Sequence, residues 1–397
     1  MPPSLATLAP WGPACSLRAY AGLLVLAATM AARTASASCN TPITSPCVDS
    51  DTLWPHAGPS LFMNVGGTET VSADRIAFGL VATYLSRPIV LNLPSPDPSQ
   101  PSARPAIDNQ FDATFLFAYG LTDRFELDLA LPVTIFQDGA GNTPLVGCGP
   151  GNNCSIAATA TRDLRFGATY TFLKRPAKHP WRHDASGFGL AARFETVAPS
   201  GDDTAFAAER SAVFVPSLSL DYRSHRFFAG GELGVRIRPT TDFAGARIGT
   251  EGVIAAGVGV DVLKQHDLLA LTAEARFHPV FTEQATVSQS PNGLVSSANG
   301  SFIMPAEWMV AARTAPLEGG DLVFQLGVGS SFPNSYDSTT GRFYFAVTAP
   351  RFRVALSLTF APRGTDTDSD GVPDAIDKCP LEPGPKRSEA GAGCPEK

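Results

Sequence analysis

Acidic side chains recur at every second position near the end of the chain. Asp366, Asp368 and Asp370 alternate with small polar residues, and Gly371 follows them. Calcium binds six to eight oxygen ligands at flexible distances, and alternate carboxylates around a glycine turn supply such ligands. The spacing predicts one bound calcium, the cofactor expected here, held by Asp366, Asp368, Asp370, the carbonyl of Val372, Asp374 directly or through water, and Asp377. The competing interpretation is a solvated acidic linker.

Other residues capable of chemistry form no coherent pattern. His179 and His183 share a basic turn, where metal binding is one interpretation and a solvated turn the other. The sequence contains no glycine-rich phosphate loop and no GxSxG nucleophile elbow. A serine and a histidine that only folding brings together would escape such a search. The sequence therefore predicts a protein without enzymatic activity and without a catalytic residue.

Composition excludes one class of partner. The chain has 397 residues, of which 44% are hydrophobic and 17% charged, and its net charge is -7. Nucleic-acid binding needs an excess of Lys and Arg to neutralise phosphates, and this chain has none. The chain is long enough to bury a core or to cross a membrane several times.

The first residues resemble an export signal. Arg18 precedes an apolar run over 19–32, and Ala35-Ser36-Ala37 offers a small-x-small cleavage site. A single membrane anchor is the alternative, but the run is shorter than the ~20 residues that span a bilayer. Cleavage after Ala37 removes Arg18 and Arg33, so the mature charge becomes -7 - 2 = -9. We predict a signal peptide over 1–37 and a periplasmic N-terminal segment over 38–73.

Cysteine usage agrees with export. Apart from Cys15 in the signal, six cysteines fall in three local pairs, an even count typical of disulfides formed in an oxidising compartment. Proximity along the chain gives the candidate pairs Cys39 with Cys47, Cys148 with Cys154, and Cys379 with Cys394.

Between residues 74 and 360, apolar and polar side chains alternate in segments of about ten residues. In Arg226–Arg238, one face carries Phe227 and Leu233, and the other carries Glu232 and Arg236. This period of two is that of a β-strand with two different faces. About twelve such segments occur, among them Ala160–Leu173 and Arg342–Phe360, the latter interpreted as one strand whose first part rises above the membrane.

The connections between these segments differ in length. Thr122-Asp123 and Ser224-His225 are short, whereas Ser86–Asp108 and Gln137–Thr159 are long and rich in Pro, Gly or Asn. Short turns at one end and long loops at the other are typical of outer-membrane barrels. The fold predicted is all-β: a closed antiparallel transmembrane β-barrel of about 12 strands, with both its ends on the periplasmic side. A short extended tail, also periplasmic, follows over 361–397.

A soluble β-sandwich is the competing fold. Many of these strands exceed the five or six residues common in soluble sheets, and charges lie deep within one face only. A barrel whose apolar face contacts outer-membrane lipid satisfies both faces, and closure removes unpaired strand edges. We therefore expect the outer membrane of a Gram-negative-type bacterium.

The polar face of the strands predicts a charged lumen. Its inferred inward charges are Glu126, Asp128, Arg165, Arg193, Glu232, Arg236, Glu274, Arg276, Arg351 and Arg353. Mixed signs fit a hydrated channel for small polar solutes, or salt bridges that close the barrel, and a closed or narrow lumen is favoured. Transport of hydrophobic solutes is a third interpretation.

The tail resembles a known repeat. Asp366–Pro380, followed by Gly393-Cys394-Pro395, is similar to a thrombospondin type 3 repeat, a family whose acidic loops bind calcium and whose cysteines form disulfides. A barrel followed by such repeats and a peptidoglycan-binding domain is the plan of OmpA-like outer-membrane proteins. The resemblance covers the first two parts and not the third, so cell-wall anchoring does not follow from it.

The function predicted is that of an outer-membrane structural or porin-like protein with a calcium-binding periplasmic tail. Two alternatives stay open. One is a solute channel or hydrophobic-solute transporter, and the other is an adhesion or binding protein acting through its surface loops. The sequence carries no signal of an oligomeric state.

Overall fold

The structure is a computed structural model that describes most of the chain beyond its first 45 residues. The described residues are 46–92, 103–141, 155–175, 186–209, 211–243, 246–263, 268–290, 293–298, 303–316, 321–332, 335–337, 342–344, 349–362, 368, 370, 372, 377–385 and 391–395. The predicted signal peptide, Cys39, Cys148, Cys154, Asp366 and Asp374 lie outside this set. Among the described residues, no helix has the length and apolar character needed to cross a membrane.

Nineteen strands are present in the described chain. The long ones are β1 (Ile76–Asn92), β2 (Ala103–Thr122), β3 (Phe125–Asp138), β5 (Leu164–Leu173), β6 (Gly187–Ala198), β7 (Val213–Ser224), β8 (Phe227–Arg236), β11 (Glu251–Asp261), β12 (Ala270–Phe277), β15 (Ala306–Thr314), β16 (Leu322–Ser331) and β19 (Phe352–Phe360). The short ones are β4 (Ala160–Thr161), β9 (Thr241–Phe243), β10 (Ala246–Ile248), β13 (Ala285–Ser290), β14 (Gly293–Ala298), β17 (Ser335–Asp337) and β18 (Arg342–Tyr344).

The long strands form one closed wall. Each pairs antiparallel with its neighbours, and β1 pairs with both β2 and β19, so the first and last strands complete the ring. The sheet has 13 strands, and without the two-residue β4 at its margin twelve remain in the wall. Closure pairs every wall strand on both sides, which a hydrocarbon environment requires. The predicted closed antiparallel barrel of twelve strands is confirmed.

The two ends of the barrel differ. The turn end carries the tight connections from β2 to β3 and from β7 to β8, whereas the loop end carries the long connections over 139–163 and 278–305. Strand β1 begins at the turn end, and β19 ends there, where Ala361 N–H donates to the Asp321 carbonyl at 2.8 Å. Both ends of the wall therefore lie at the turn end, as the even strand count predicts.

The wall exposes apolar side chains and buries polar ones, the reverse of the usual arrangement in a soluble protein. Along β7, Phe214, Leu218 and Leu220 are exposed, whereas Ser217 and Ser219 between them are buried. The same alternation continues around the wall, so an apolar belt surrounds a polar interior. Monomeric soluble proteins rarely expose so continuous an apolar surface, whereas a barrel in lipid requires it.

Two predicted strands are divided in the structure. Ala160–Leu173 is interrupted at Arg162 and Asp163, because Arg162 forms ion pairs with Asp49 and with Asp112 (2.8 Å) instead of continuing the alternation. In Arg342–Phe360, the wall strand begins only at Phe352, and β18 pairs with β17.

A charged residue on the apolar belt is expected to impair insertion. Leu233 in the middle of β8 is 63% exposed, and Leu233→Arg should destabilise the folded barrel by about 2–4 kcal/mol, the cost of such a charge at bilayer depth. Denaturant titration in phospholipid bilayers measures the loss. Leu381→Arg, at an exposed leucine in the tail, is the matched control, and equal effects of the two substitutions would contradict a lipid-facing belt.

Candidate functional site

The lumen of the barrel is occupied by the chain itself. Residues 46–72, here called the luminal segment, are mostly buried and have no strand of their own. The N–H of Asn64 donates to Glu274 on β12 (2.6 Å), and the N–H of Val71 donates to Glu126 on β3 (2.6 Å). The Thr68 hydroxyl donates to Asp221 on β7 (2.7 Å). Buried acceptors on separated parts of one closed wall can meet the same segment only inside it.

This position corrects the prediction of a periplasmic segment over 38–73. The described part, from residue 46, lies in the lumen instead. The sequence of 46–72 is rich in Gly and Pro and lacks strand alternation, which indicates irregular structure but not its location. The physical reason for its position is that buried charges on the wall need partners, and this segment supplies them.

Ion pairs attach the luminal segment near the loop end. The guanidinium of Arg353, at the start of β19, is 2.7 Å from Asp51 and 3.0 Å from Glu307 of β15. The hydroxyl of Thr52 also donates to Glu307, and Asp49 pairs with Arg162. One stretch of the segment, from Asp49 to Thr52, is therefore joined to β15, β19 and Arg162 by charge-assisted contacts, which are stronger than neutral hydrogen bonds.

Cationic and acidic wall residues enclose the segment midway. The Trp54 ring lies 3.7 Å from the guanidinium carbon of Arg236 and 5.4 Å from that of Arg165. The two nitrogens of the His56 imidazole face Glu195 at 3.7 Å and Glu232 at 3.5 Å. Cation–π and electrostatic contacts thus hold the segment from several sides.

Further along the segment, wall carboxylates accept hydrogen bonds from its backbone. Glu274 accepts from Met63 (3.1 Å) as well as Asn64, and Glu232 accepts from Gly66 (3.0 Å). The Phe62 ring packs on Phe228 of β8, with centroids 5.4 Å apart. Such contacts satisfy backbone groups that neither a strand nor a helix pairs.

An apolar cap covers the segment at the loop end. It is a buried cluster of Val48, Ile89, Ala106, Ile107, Phe206, Phe243 and Ile248. Phe206 and Phe243 meet edge to face with centroids 5.1 Å apart. Because Val48 belongs to the luminal segment and the others belong to the wall and loops, the cap joins segment and loops over the lumen.

Two carboxyl groups in the loop-end connections have raised pKa values. Burial raises the pKa of Asp163 to about 7, although backbone N–H donors from Glu209 and Gly201 act in the opposite direction. Burial likewise raises the pKa of Glu209, which forms an ion pair with Arg238. Since the folded form of Asp163 holds its proton longer than the unfolded form, its contribution to stability is present below pH 4 and is lost as pH rises through 7.

The structure places nearly all predicted lumen charges on the inner face. Buried there are Glu126, Arg165, Arg193, Glu232, Arg236, Glu274, Arg276 and Arg353. Asp128 is half-buried, with one carboxylate oxygen fully enclosed. Arg351 is the exception and corrects the prediction: it is exposed, because β19 begins at Phe352 and alternation does not extend to the residue before it.

Space remains between the luminal segment and part of the wall. An open cleft beside the luminal segment extends along β1, β16 and β19. Its apolar lining includes Leu61, Val81 and Val323, and its polar lining includes Gln325 and Thr359. Several of these residues belong to the turn-end half of their strands, so this cleft lies away from the apolar cap.

The tail brings together three of the predicted calcium ligands. Carboxylate oxygens of Asp368, Asp370 and Asp377 lie within 4.8 Å of one another. Asp377 is buried; one of its oxygens accepts the Cys379 N–H at 2.7 Å, and the other has no hydrogen-bond partner. Val372 is also buried.

Two of the predicted disulfide pairs involve described cysteines. Cys379 and Cys394 form the predicted disulfide. Cys47 is disulfide-bonded, and Cys39, its predicted partner, lies outside the described residues. The pairing of Cys39 with Cys47 therefore stays a prediction.

The fold and site define a closed β-barrel whose lumen holds its own N-terminal segment. No protein-family model matches the chain, and a search of curated proteins found no match. Several solved structures resemble the barrel at low sequence identity. One is an outer membrane channel from Pseudomonas putida F1, with 14% sequence identity and a TM-score of 0.46 over 74% of this chain and 98% of that chain. The P. putida toluene transporter TodX has 9% identity and a TM-score of 0.37 over 74% of this chain and 92% of that chain. The KdgM porin has 7% identity and a TM-score of 0.35 over 71% of this chain and 98% of that chain. Such identities and TM-scores are too low to indicate a solute or a function.

Proposed function

We propose that this protein is an outer-membrane channel that its luminal segment closes at rest. One observation carries the proposal: the luminal segment lies inside the wall and is joined to it by ion pairs and hydrogen bonds, with only small, separate apolar clusters between them. The Asp51–Arg353 and Asn64–Glu274 contacts join groups that water can solvate equally well. Because water can replace these polar contacts at modest net cost, this part of the attachment is suited to reversible closure.

The lining supports small hydrophilic solutes as cargo. Once the segment moves, the exposed wall carries Glu126, Arg193, Glu232 and Arg276, a set of mixed charges that stays hydrated. Twelve strands enclose more space than the eight-stranded barrels whose interiors side chains fill, and less than the porins with 16 or more strands. The open form is therefore a narrow, hydrated channel.

In this proposal, the turn end faces the periplasm and the loop end faces outward. The apolar belt and the contrast between short turns and long loops support this orientation. The tail leaves the barrel at Ala361, at the turn end, and so enters the periplasm.

Recordings from the purified protein in planar bilayers test the proposal. We expect long closed periods with rare stepwise openings at low voltage. Continuous conductance at the level of an open porin would contradict closure by the luminal segment. An absence of conductance after removal of the segment would contradict the channel itself.

We infer, as a second proposal, that the tail binds calcium. Burial of Asp377 with one oxygen unpartnered, beside Asp368 and Asp370, supports this chemistry, because a buried carboxylate oxygen needs a partner. The similarity to a thrombospondin type 3 repeat agrees with it, and an OmpA-like plan for the chain remains part of the proposal.

Asp377→Asn is expected to weaken calcium binding by about tenfold or more, equivalent to a loss of about 1.4 kcal/mol. The substitution removes the charge of a buried ligand and keeps its size. Isothermal titration of the full-length protein in detergent measures the affinity. Glu382→Gln, which neutralises an exposed acid in the same tail, should leave the affinity unchanged. If the unaltered protein releases no heat at millimolar calcium, the acidic-linker interpretation replaces this proposal.

A further inference from the structure

The luminal segment runs from the loop end to the turn end. Near its start, Val48 packs with Ile107 and Phe206 in the apolar cap. Near its finish, the Thr70 hydroxyl donates to the carbonyl of Asp123, in the tight turn between β2 and β3, at 2.9 Å. The chain then continues into β1 from the turn end. The residues before Pro46 therefore join the segment at the loop end.

Contacts hold the first described residues at this end. The Ser50 N–H donates to the Phe206 carbonyl at 3.0 Å, and Asp49 forms an ion pair with Arg162. Cys47 is disulfide-bonded, and its sulfur lies 3.8 Å from the Asp203 carbonyl oxygen. The loop-end position of residues 47–50 is thus determined by a hydrogen bond, an ion pair and packing.

The chain before residue 46 starts from the loop end and is short in the expected mature protein. After cleavage at the expected site, residues 38–45 precede Pro46, and eight residues reach at most about 28 Å when fully extended. The luminal segment already fills the adjacent lumen, and lipid around the barrel does not admit unpaired polar backbone.

We propose that the amino terminus of the mature chain is presented on the outer face of the cell, beside the long loops. The free end of the segment that occupies the lumen is then accessible from outside, whereas its other end is tethered to β1 at the periplasmic side. Soluble molecules outside the cell can contact the free end of the luminal segment without crossing the membrane. The loop-end surface therefore comprises both the long loops and the amino terminus.

Antibody labelling of intact cells tests the proposal. A short hydrophilic epitope is inserted after Ser38 in the full-length protein. Matched variants carry it between β13 and β14, two paired strands in the loop-end connection after β12, or after His225, an exposed residue of a tight turn. We expect the first two variants to be labelled on intact cells, and the His225 variant only after permeabilisation. Labelling of the Ser38 variant only after permeabilisation, with the β13–β14 variant labelled throughout, would overturn the proposal.

A second measurement avoids insertions that could disturb folding. A membrane-impermeant amine reagent is applied to intact cells that produce the unaltered protein, and modified peptides are identified by mass spectrometry. The α-amino group should be modified, whereas Lys174, exposed at the turn end, should react only after permeabilisation. An α-amino group that stays unmodified until permeabilisation would place the amino terminus in the periplasm and contradict the proposal.

Discussion

Replacing residues 46–72 with a Gly/Ser linker of equal length is expected to raise the mean conductance of the protein roughly tenfold or more, since an empty twelve-stranded lumen is wide enough for water and ions. The wall should persist, because its backbone hydrogen bonds run between the strands and not to the luminal segment. The inward charges that lose their partners become hydrated once water enters the lumen.

Planar-bilayer recordings measure this increase, and heat-modifiable migration on gels verifies that the variant has folded. Truncation of the tail after Pro362 serves as the control, because it removes a similar length of chain without touching the lumen, and its conductance should equal that of the full-length protein. A folded linker variant that conducts no better than this control would show that the segment does not close the barrel.

Arg353→Ala is expected to destabilise the protein by about 3–5 kcal/mol, the usual cost of removing one partner from a buried ion pair. Arg353 is 1% exposed, and it is the cation that neutralises both Asp51 of the segment and Glu307 of the wall. Its loss leaves two buried carboxylates facing each other. The free energy of unfolding is measured by denaturant titration in bilayers, and the same variant should open more often in conductance recordings.

Arg351→Ala is the matched control for this substitution. Arg351 is two residues away and exposed, so its replacement should change the free energy of unfolding by about 0.5 kcal/mol or less. If the two substitutions cost the same, or if Arg353→Ala leaves the open probability unchanged, the ion pairs at the loop end do not hold the luminal segment.

The wall could be predicted from the sequence because one local rule governs it. In a strand between lipid and lumen, apolar and polar side chains must alternate. The local sequence therefore assigns Phe227 and Leu233 to the lipid face, and Glu232 and Arg236 to the lumen face. This alternation does not extend beyond the ends of a strand. Arg351 has the parity of a lumen residue but precedes β19, and Arg162 leaves the alternation to pair with residues distant in sequence.

The luminal segment could not be located by the same reasoning. Its hydrogen-bond partners on the wall are distant along the chain: Glu274 accepts from Asn64, and Glu126 accepts from Val71. Contacts of this kind leave no repeating pattern in the local sequence. The tail is an intermediate case. The spacing of its acidic residues is local, and the structure brings Asp368, Asp370 and Asp377 together, whereas calcium binding itself stays a proposal.

The central claim, that residues 46–72 lie inside the barrel, is tested most directly by an engineered disulfide. A side-chain carbon placed on Gly66 would be 2.5 Å from the hydroxyl of Ser219, a buried inward residue of β7, a proximity suited to a disulfide. Leu218 adjoins Ser219 but is 50% exposed on the outer face. We predict that Gly66→Cys/Ser219→Cys forms the cross-linked peptide on oxidation, detected by mass spectrometry, and that Gly66→Cys/Leu218→Cys does not. Absence of the first cross-link in folded protein whose Cys379–Cys394 disulfide has formed, or equal cross-linking of both pairs, would contradict a segment inside the barrel.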